Sequence, residues 1–184
     1  MPAPAQGRPV RPAVTLVLMG VAGAGKTTVM AELAGRLGWR TLEGDAIHPP
    51  GNVAKMAAGR PLTDEDREPW LAAIAAWIGR AAEAGEPSIV TCSALRRGYR
   101  DVLSAAGGGG VIFVHLVAPA EVLATRMAGR TGHFMPPEML ASQLELLEPL
   151  AGEPGFSVDA TRPPAAIAEG ILERLADPGR RQTG

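Results

Sequence analysis

Sulfur chemistry is nearly missing from this 184-residue chain: its single cysteine, Cys92, excludes an intrachain disulfide and suits a reducing compartment. At the end of an apolar stretch Cys92 reads as a small buried residue rather than a nucleophile. The three histidines form no cluster with cysteine or carboxylates at metal-site spacing, so any metal must arrive with a ligand. His115, inside an apolar run, reads as a core or edge histidine. Charge of one sign is lacking too. A formal net charge of −1 gives no global field for nucleic acid or an anionic membrane, so an anionic ligand needs a local cluster of cations. No apolar run approaches the length of about 18 residues that suggests a membrane span. The opening MPAPAQGRPVRP lacks the apolar centre of a secretory signal, and its prolines predict a disordered leader over 1–12. These absences predict a cytoplasmic protein with neither nucleic acid nor membrane as partner. No internal repeat is visible.

What remains is ordinary globular material, 46% apolar and 20% charged, and the length predicts one domain over 13–176 with a frayed tail over 177–184. The most informative stretch is VTLVLMGVAGAGKTTV. Residues 14–19 are an apolar run long enough for one buried strand. Gly20, Val21, Ala22, Gly23, Ala24, Gly25, Lys26 and Thr27 then match G-x-x-x-x-G-K-[ST] at every fixed position, with Thr28 next. An amphipathic helix follows over 28–37, with Val29, Met30, Leu33 and Leu37 on one face. Strand, glycine-rich loop and helix together form the context a phosphate cradle requires. The glycines let successive N–H groups turn inward, and the helix aims its positive end at the same place. Lys26 can reach the β- and γ-phosphates, and Thr27 offers a hydroxyl to Mg²⁺. Nucleotide-phosphate binding is the resulting expectation.

Beyond that loop, strands are expected at 39–43, 88–92, 111–117 and 156–159. Helices are expected at 52–58, 63–84, 95–104, 119–128, 137–148 and 163–175. Thr63 is the expected cap of the longest, whose buried side should carry Trp70, Leu71, Ile74, Trp77 and Ile78. Strands alternating with helices imply an α/β fold with a parallel five-stranded sheet covered on both faces. The phosphate loop then lies at the carboxyl edge of that sheet, where other strand ends complete the site.

Three groups follow those strand ends. Asp45 stands where a carboxylate could face a γ-phosphate and accept a hydroxyl proton, or could simply form a turn or cap a helix. His48 beside Pro49 reads as a loop histidine or a donor to a polar substrate. Arg96, Arg97 and Arg100 follow the third expected strand. Arg126 and Arg130, with Gly132-His133-Phe134, follow the fourth, where a mobile lid over about 126–136 would carry cations to the transferring phosphoryl group. Arg130 is the favoured lid cation, Arg126 the second, though either could serve as a helix C-terminal charge.

In order along the chain stand GD-x-x-HP (Asp45, His48, Pro49), N-x-x-KM (Asn52, Lys55, Met56) and G-x-PL-x-D-x-DR-x-PWL (from Gly59 through Asp64, Asp66, Arg67, Pro69 and Trp70 to Leu71). CSAL-R-R-x-YRD (Cys92 to Asp101), GHF (Gly132 to Phe134), Gln143-Leu144 and Leu147-Glu148-Pro149 follow. This series resembles the short P-loop gluconate kinases, or gluconokinases, over about 14–175. The resemblance implies a three-layer P-loop kinase fold with a small mobile lid and a homodimer. It also implies ATP- and Mg²⁺-dependent phosphorylation of D-gluconate at its 6-hydroxyl. Asp45 becomes the expected group that orients the hydroxyl and takes its proton. His48, Lys55, Arg67, Arg97 and Arg100 become the candidates for gripping the polyol acid, their order left open. Many relatives carry D-x-D where this chain has Glu43-Gly44-Asp45, so a metal role for Glu43 must span one extra methylene. Two other readings are a shikimate kinase-like small-molecule kinase and a non-catalytic nucleotide switch.

Overall fold

The computed structural model describes residues 13–129, 136 and 139–177. The leader over 1–12, the tail from 178 onward and most of the expected lid, including Arg130 and Gly132-His133-Phe134, lie outside the described residues.

Five strands, β1 (Thr15–Met19), β2 (Arg40–Glu43), β3 (Ser88–Thr91), β4 (Val111–Val117) and β5 (Gly155–Asp159), form one parallel sheet in the order β2-β3-β1-β4-β5. Among the described residues seven helices accompany them: α1 (Lys26–Leu37), α2 (Pro50–Ala57), α3 (Asp64–Glu83), α4 (Arg97–Ala106), α5 (Ala120–Ala128), α6 (Met139–Leu146) and α7 (Pro164–Ala176). The central strand is buried throughout and apolar from Leu16 to Met19, because both of its faces are covered. Leu16 and Leu18 point into one core, with Val29 and Leu33 of α1 and Ile167 and Ile171 of α7. Val17 and Met19 point into the other, with Trp70, Ile74 and Ile78 of α3 and Leu103 of α4. Each fully buried side chain of this kind contributes about 1.5–3 kcal/mol, so β1 anchors both layers.

Long α3 starts where the sequence predicts. The Thr63 hydroxyl accepts from Asp66 N–H, and the Asp66 carboxylate accepts from Thr63 N–H, a reciprocal cap that satisfies two otherwise open donors. Its inward stripe differs from expectation at two positions. Trp77 is partly buried beneath the Arg40 guanidinium, whereas Arg67 is enclosed in the stripe with Trp70, Leu71 and Ile74. Helix starts shift by two residues as well, α2 opening at Pro50 rather than 52 with a proline in its first turn. Helix α1 opens at Lys26 because left-handed Gly25 (φ 92°) turns the chain directly into it. Helix α4 opens at Arg97, two residues late, because Cys92 to Arg96 form a buried loop in which Ala94 takes φ 44°. Residues Gly44–Ile47, just past the strand expected at 39–43, wind into a 3₁₀ turn.

Candidate active site

The loop from Gly20 to Thr27 joins the carboxyl end of β1 to α1 at the sheet's carboxyl edge. Two of its glycines are required by close approach. A Cβ on Gly20 (φ 134°) would lie 2.9 Å from the Leu116 carbonyl oxygen, and one on Gly23 (φ 80°) would lie 2.8 Å from that of Leu123. Lys26 Nζ arches back across the loop, donating to the carbonyls of Gly20 at 2.9 Å and Val21 at 3.1 Å. No side chain caps the first turn of α1, and Thr27 and Thr28 are exposed there. Its N–H groups and dipole are therefore open to an anion without a competing cap.

Gly44 sets the second wall. Its N–H donates to the Thr91 hydroxyl at 3.1 Å, its carbonyl accepts from Trp70 Nε1 at 2.8 Å, and a Cβ would strike the Thr91 carbonyl at 2.1 Å. The residue is pinned on both backbone groups, so the Asp45 that follows leaves the sheet in one direction. Asp45 faces the same cleft as Lys26, with His48, Arg67, Trp70, Ser93 and Gln143 among its other walls. That cleft encloses about 520 Å³, counting its open mouth, a size suited to a small polar ligand.

His48 stacks flat on Trp70, ring centroids 4.1 Å apart, with Nδ1 at 3.5 Å from Asn52 Nδ2. Burial lowers its pKa to about 4; the Asp45 charge opposes this and the Arg67 charge reinforces it. The imidazole is therefore neutral at physiological pH. Because the folded value lies below the unfolded 6.5, the unfolded chain takes up the proton first as pH falls. His48 thus withdraws stability between pH 6.5 and about 4 and produces no step in kcat/KM near 6.5. Substitution by glutamine should flatten the denaturation midpoint across that acid window and leave the neutral pH–rate profile without a new step.

Arg67 is the cation the fold places best. Only 8% exposed, it donates through Nη1 to the Leu62 carbonyl at 2.6 Å, and its guanidinium lies 5.6 Å from the centre of the Tyr99 ring. The Tyr99 hydroxyl bonds Asp64, which Arg96 also holds at 2.8 Å. A guanidinium tied along one edge and opening on the cleft offers a fixed fork to a carboxylate.

Other expected cations go elsewhere. Lys55 pairs with Asp66 at 2.6 Å, and Asn52 donates to the Asp66 carbonyl at 2.7 Å, binding α2 to the start of α3. That lysine hydrogen bond, with the Thr63 N–H, holds the Asp66 carboxyl below its ordinary range. Arg97 is exposed and donates to the Ala151 carbonyl at 2.8 Å. Arg126 donates to the Ala160 carbonyl at 2.8 Å, beyond the end of β5.

Arg100 corrects the sequence expectation. Its side chain is fully enclosed and paired with Glu153 at 2.8 and 2.9 Å, while Nη1 and Nη2 reach the carbonyls of Ala94, Leu95, Glu148 and Pro149. This leaves no surface for a substrate. It holds the loop after β3 against the segment leading to β5. Arg100→Ala should cost about 3–5 kcal/mol in denaturant unfolding, because the carboxylate left behind is buried and unpaired. Burial alone would push the Glu153 carboxyl up, but the hydrogen bonds and charge of Arg100 outweigh it and hold the group below its usual range. Such a depressed carboxyl stabilises the fold above its unfolded pKa and loses that contribution as pH falls through the folded one.

Sequence reasoning had not assigned Ser93 or Gln143 to the cleft. Both sit inside motifs that the resemblance rests on, CSAL and Gln143-Leu144, but neither motif says that its polar side chain faces the cleft; Trp70 had been placed in the buried stripe. Cys92 is fully buried, and burial pushes its thiol up to about 12, so it is no nucleophile. His115 sits in β4 at 8% exposure, with burial lowering its pKa, as an inward-facing strand histidine should be.

The AAA domain family pattern matches residues 16–150. The gluconokinase of Gluconobacter oxydans is 48% identical over 161 residues, covering 87% of this chain and 90% of that protein. The chain belongs to the gluconokinase family. A gluconokinase structure from Sinorhizobium meliloti superposes with a TM-score of 0.78 at 47% identity, covering 95% of this chain and 99% of that one. A sugar kinase structure from a Janibacter species gives a TM-score of 0.85 at 46% identity, covering 94% and 100%. The parallel α/β kinase fold is thus shared along nearly the whole chain. Within this gluconokinase-family chain the motif residues divide by place. Lys26, Asp45, His48 and Arg67 meet in the cleft, whereas Asn52, Lys55, Asp66 and Arg100 build the frame around it.

Proposed function

We propose that this protein transfers the γ-phosphoryl group of ATP to the 6-hydroxyl of D-gluconate, giving 6-phospho-D-gluconate and ADP. The observation that carries this reading is the meeting of Lys26, Asp45, His48 and Arg67 in one cleft beside the phosphate loop. Gluconate is a carboxylate with a row of hydroxyls, and those side chains match it group for group. The Arg67 fork takes the carboxylate, neutral His48 binds a hydroxyl, and Asp45 orients the 6-hydroxyl and accepts its proton as the phosphoryl arrives. Lys26 neutralises charge on the transferring group, whose loose transition state leaves the protein mostly a positioning task. Arg130, with Arg126 second, is the proposed lid cation, and closure over the site limits transfer to water.

The residues present fit a Mg²⁺ ion. Among the described residues the Glu43 Oε2 is the buried side-chain polar atom without a hydrogen-bond partner, while its other oxygen accepts from Thr91. A hydroxyl on Thr27 and a carboxylate on Glu43 are the hard oxygen donors this ion prefers. Thr27 and Glu43 would hold it, and when bound it supplies charge neutralisation to the β- and γ-phosphates. The described residues contain no group of three His, Cys, Asp or Glu able to hold a resident metal.

A coupled ADP-release assay across gluconate, shikimate and nucleoside monophosphates tests the substrate. Turnover with gluconate alone supports the reading. Equal turnover on all three empties it, and a stable ATP complex that never turns over points to a nucleotide switch. A homodimer in the cytoplasm completes the proposal, and sedimentation would check the assembly. No described helix is long and apolar enough to cross a membrane.

A further inference from the structure

One contact in the cleft crosses the whole fold. The side-chain carbonyl of Gln143, on α6, accepts a hydrogen bond at 2.7 Å from the backbone N–H of Ala22 in the phosphate loop, 121 residues away. Both residues are only 8% exposed, and both line the cleft that holds Lys26 and Asp45. Because the backbone group can only donate, the carboxamide must present its oxygen there, which removes the usual ambiguity of a glutamine. The neighbouring bonds show how this limb of the loop is held. Gly20 N–H donates to the Ser93 carbonyl at 3.2 Å, and Ala24 N–H to the Val21 carbonyl at 3.3 Å. Ala22 alone among these depends on a side chain, and that side chain comes from the helix just past the expected lid. Helix α6 is itself seated by buried Met139 and Leu140.

We infer that Gln143 is a positioning residue for phosphoryl transfer: through the Ala22 amide it fixes the phosphate loop relative to the α6 wall of the acceptor cleft. This rests on the kinase reading above. In-line transfer tolerates little displacement, and an error of about 1 Å between reacting groups can cost roughly 100-fold in rate. A tie between the wall that carries the donor and a wall that shapes the acceptor space therefore acts on kcat more than on either affinity.

Two substitutions separate this from a structural role. Gln143→Met keeps the length and removes the acceptor; Gln143→Glu keeps an oxygen for the Ala22 N–H. The expected result for Gln143→Met is a kcat about 10-fold lower or more, with KM for ATP and gluconate within about threefold, since only transition-state alignment is lost. Its melting temperature should stay within a few degrees, and amide exchange at Ala22 should accelerate. In Gln143→Glu the Ala22 amide stays protected and kcat is largely kept, with the added charge raising the KM for ATP. The inference is overturned if Gln143→Met keeps kcat within twofold, or if Gln143→Glu loses kcat equally while Ala22 stays protected. Should the unsubstituted protein not phosphorylate gluconate, the substrate reading falls separately. The tie is then judged by Ala22 exchange, and unchanged exchange in Gln143→Met overturns it.

Discussion

Lys26→Ala lowers kcat by about two to three orders of magnitude, the scale expected when one preorganised donor to a developing anion is removed. The ammonium group lies across the loop, 2.9 Å and 3.1 Å from two of its carbonyls, and in the proposed reaction this is where the terminal phosphates arrive. No conformational search precedes its use, which is why its loss falls on the chemical step. Lys26 is only partly buried, so the folded state should keep its melting temperature within a few degrees. Steady-state kinetics with saturating ATP and gluconate gives the answer. Near-normal kcat in a folded Lys26→Ala protein would remove the lysine from the mechanism.

Asp45→Asn should depress kcat by about 100-fold to 10,000-fold, the range for a positioned general base, while KM for gluconate moves only a few-fold. Asparagine keeps the size of the side chain and the Gly44 clamp that aims it, and it removes the proton acceptor alone. A substrate contact without a catalytic part would show the opposite pattern, with KM rising and kcat kept. Turnover close to that of the unsubstituted protein would mean that another group, or water, takes the hydroxyl proton.

How far the sequence reached differs between neighbouring residues. The Gly20–Thr27 loop was legible because its function is local: eight consecutive residues supply the glycines, the lysine and the hydroxyl. Strand β4 was placed with its observed limits because a run apolar on both faces has one stable environment. The α3 start was equally local, since Thr63 and Asp66 close their cap within one turn. Helix α4 was misplaced by two residues because its start is set by Arg100 pulling on the Ala94 and Leu95 carbonyls, a contact no short window contains.

The arginines show the same division more sharply. Arg67, Arg97 and Arg100 are alike in a string of letters, and family resemblance placed all three among substrate candidates. Arg67 ends beside the cleft, Arg97 ends in solvent against Ala151, and Arg100 ends enclosed by Glu153. Sequence by itself determined the alternation of strands and helices, the phosphate loop and the pool of chemical groups, because each depends on residues within a turn or two of one another. Tertiary structure decided which cation lines the cleft and which is enclosed in the frame, and it joined Gln143 to Ala22. A hydrogen bond forms only with a partner within about 3 Å, and which partner that is depends on the fold. In this protein those partners arrive from segments as far as 121 residues away.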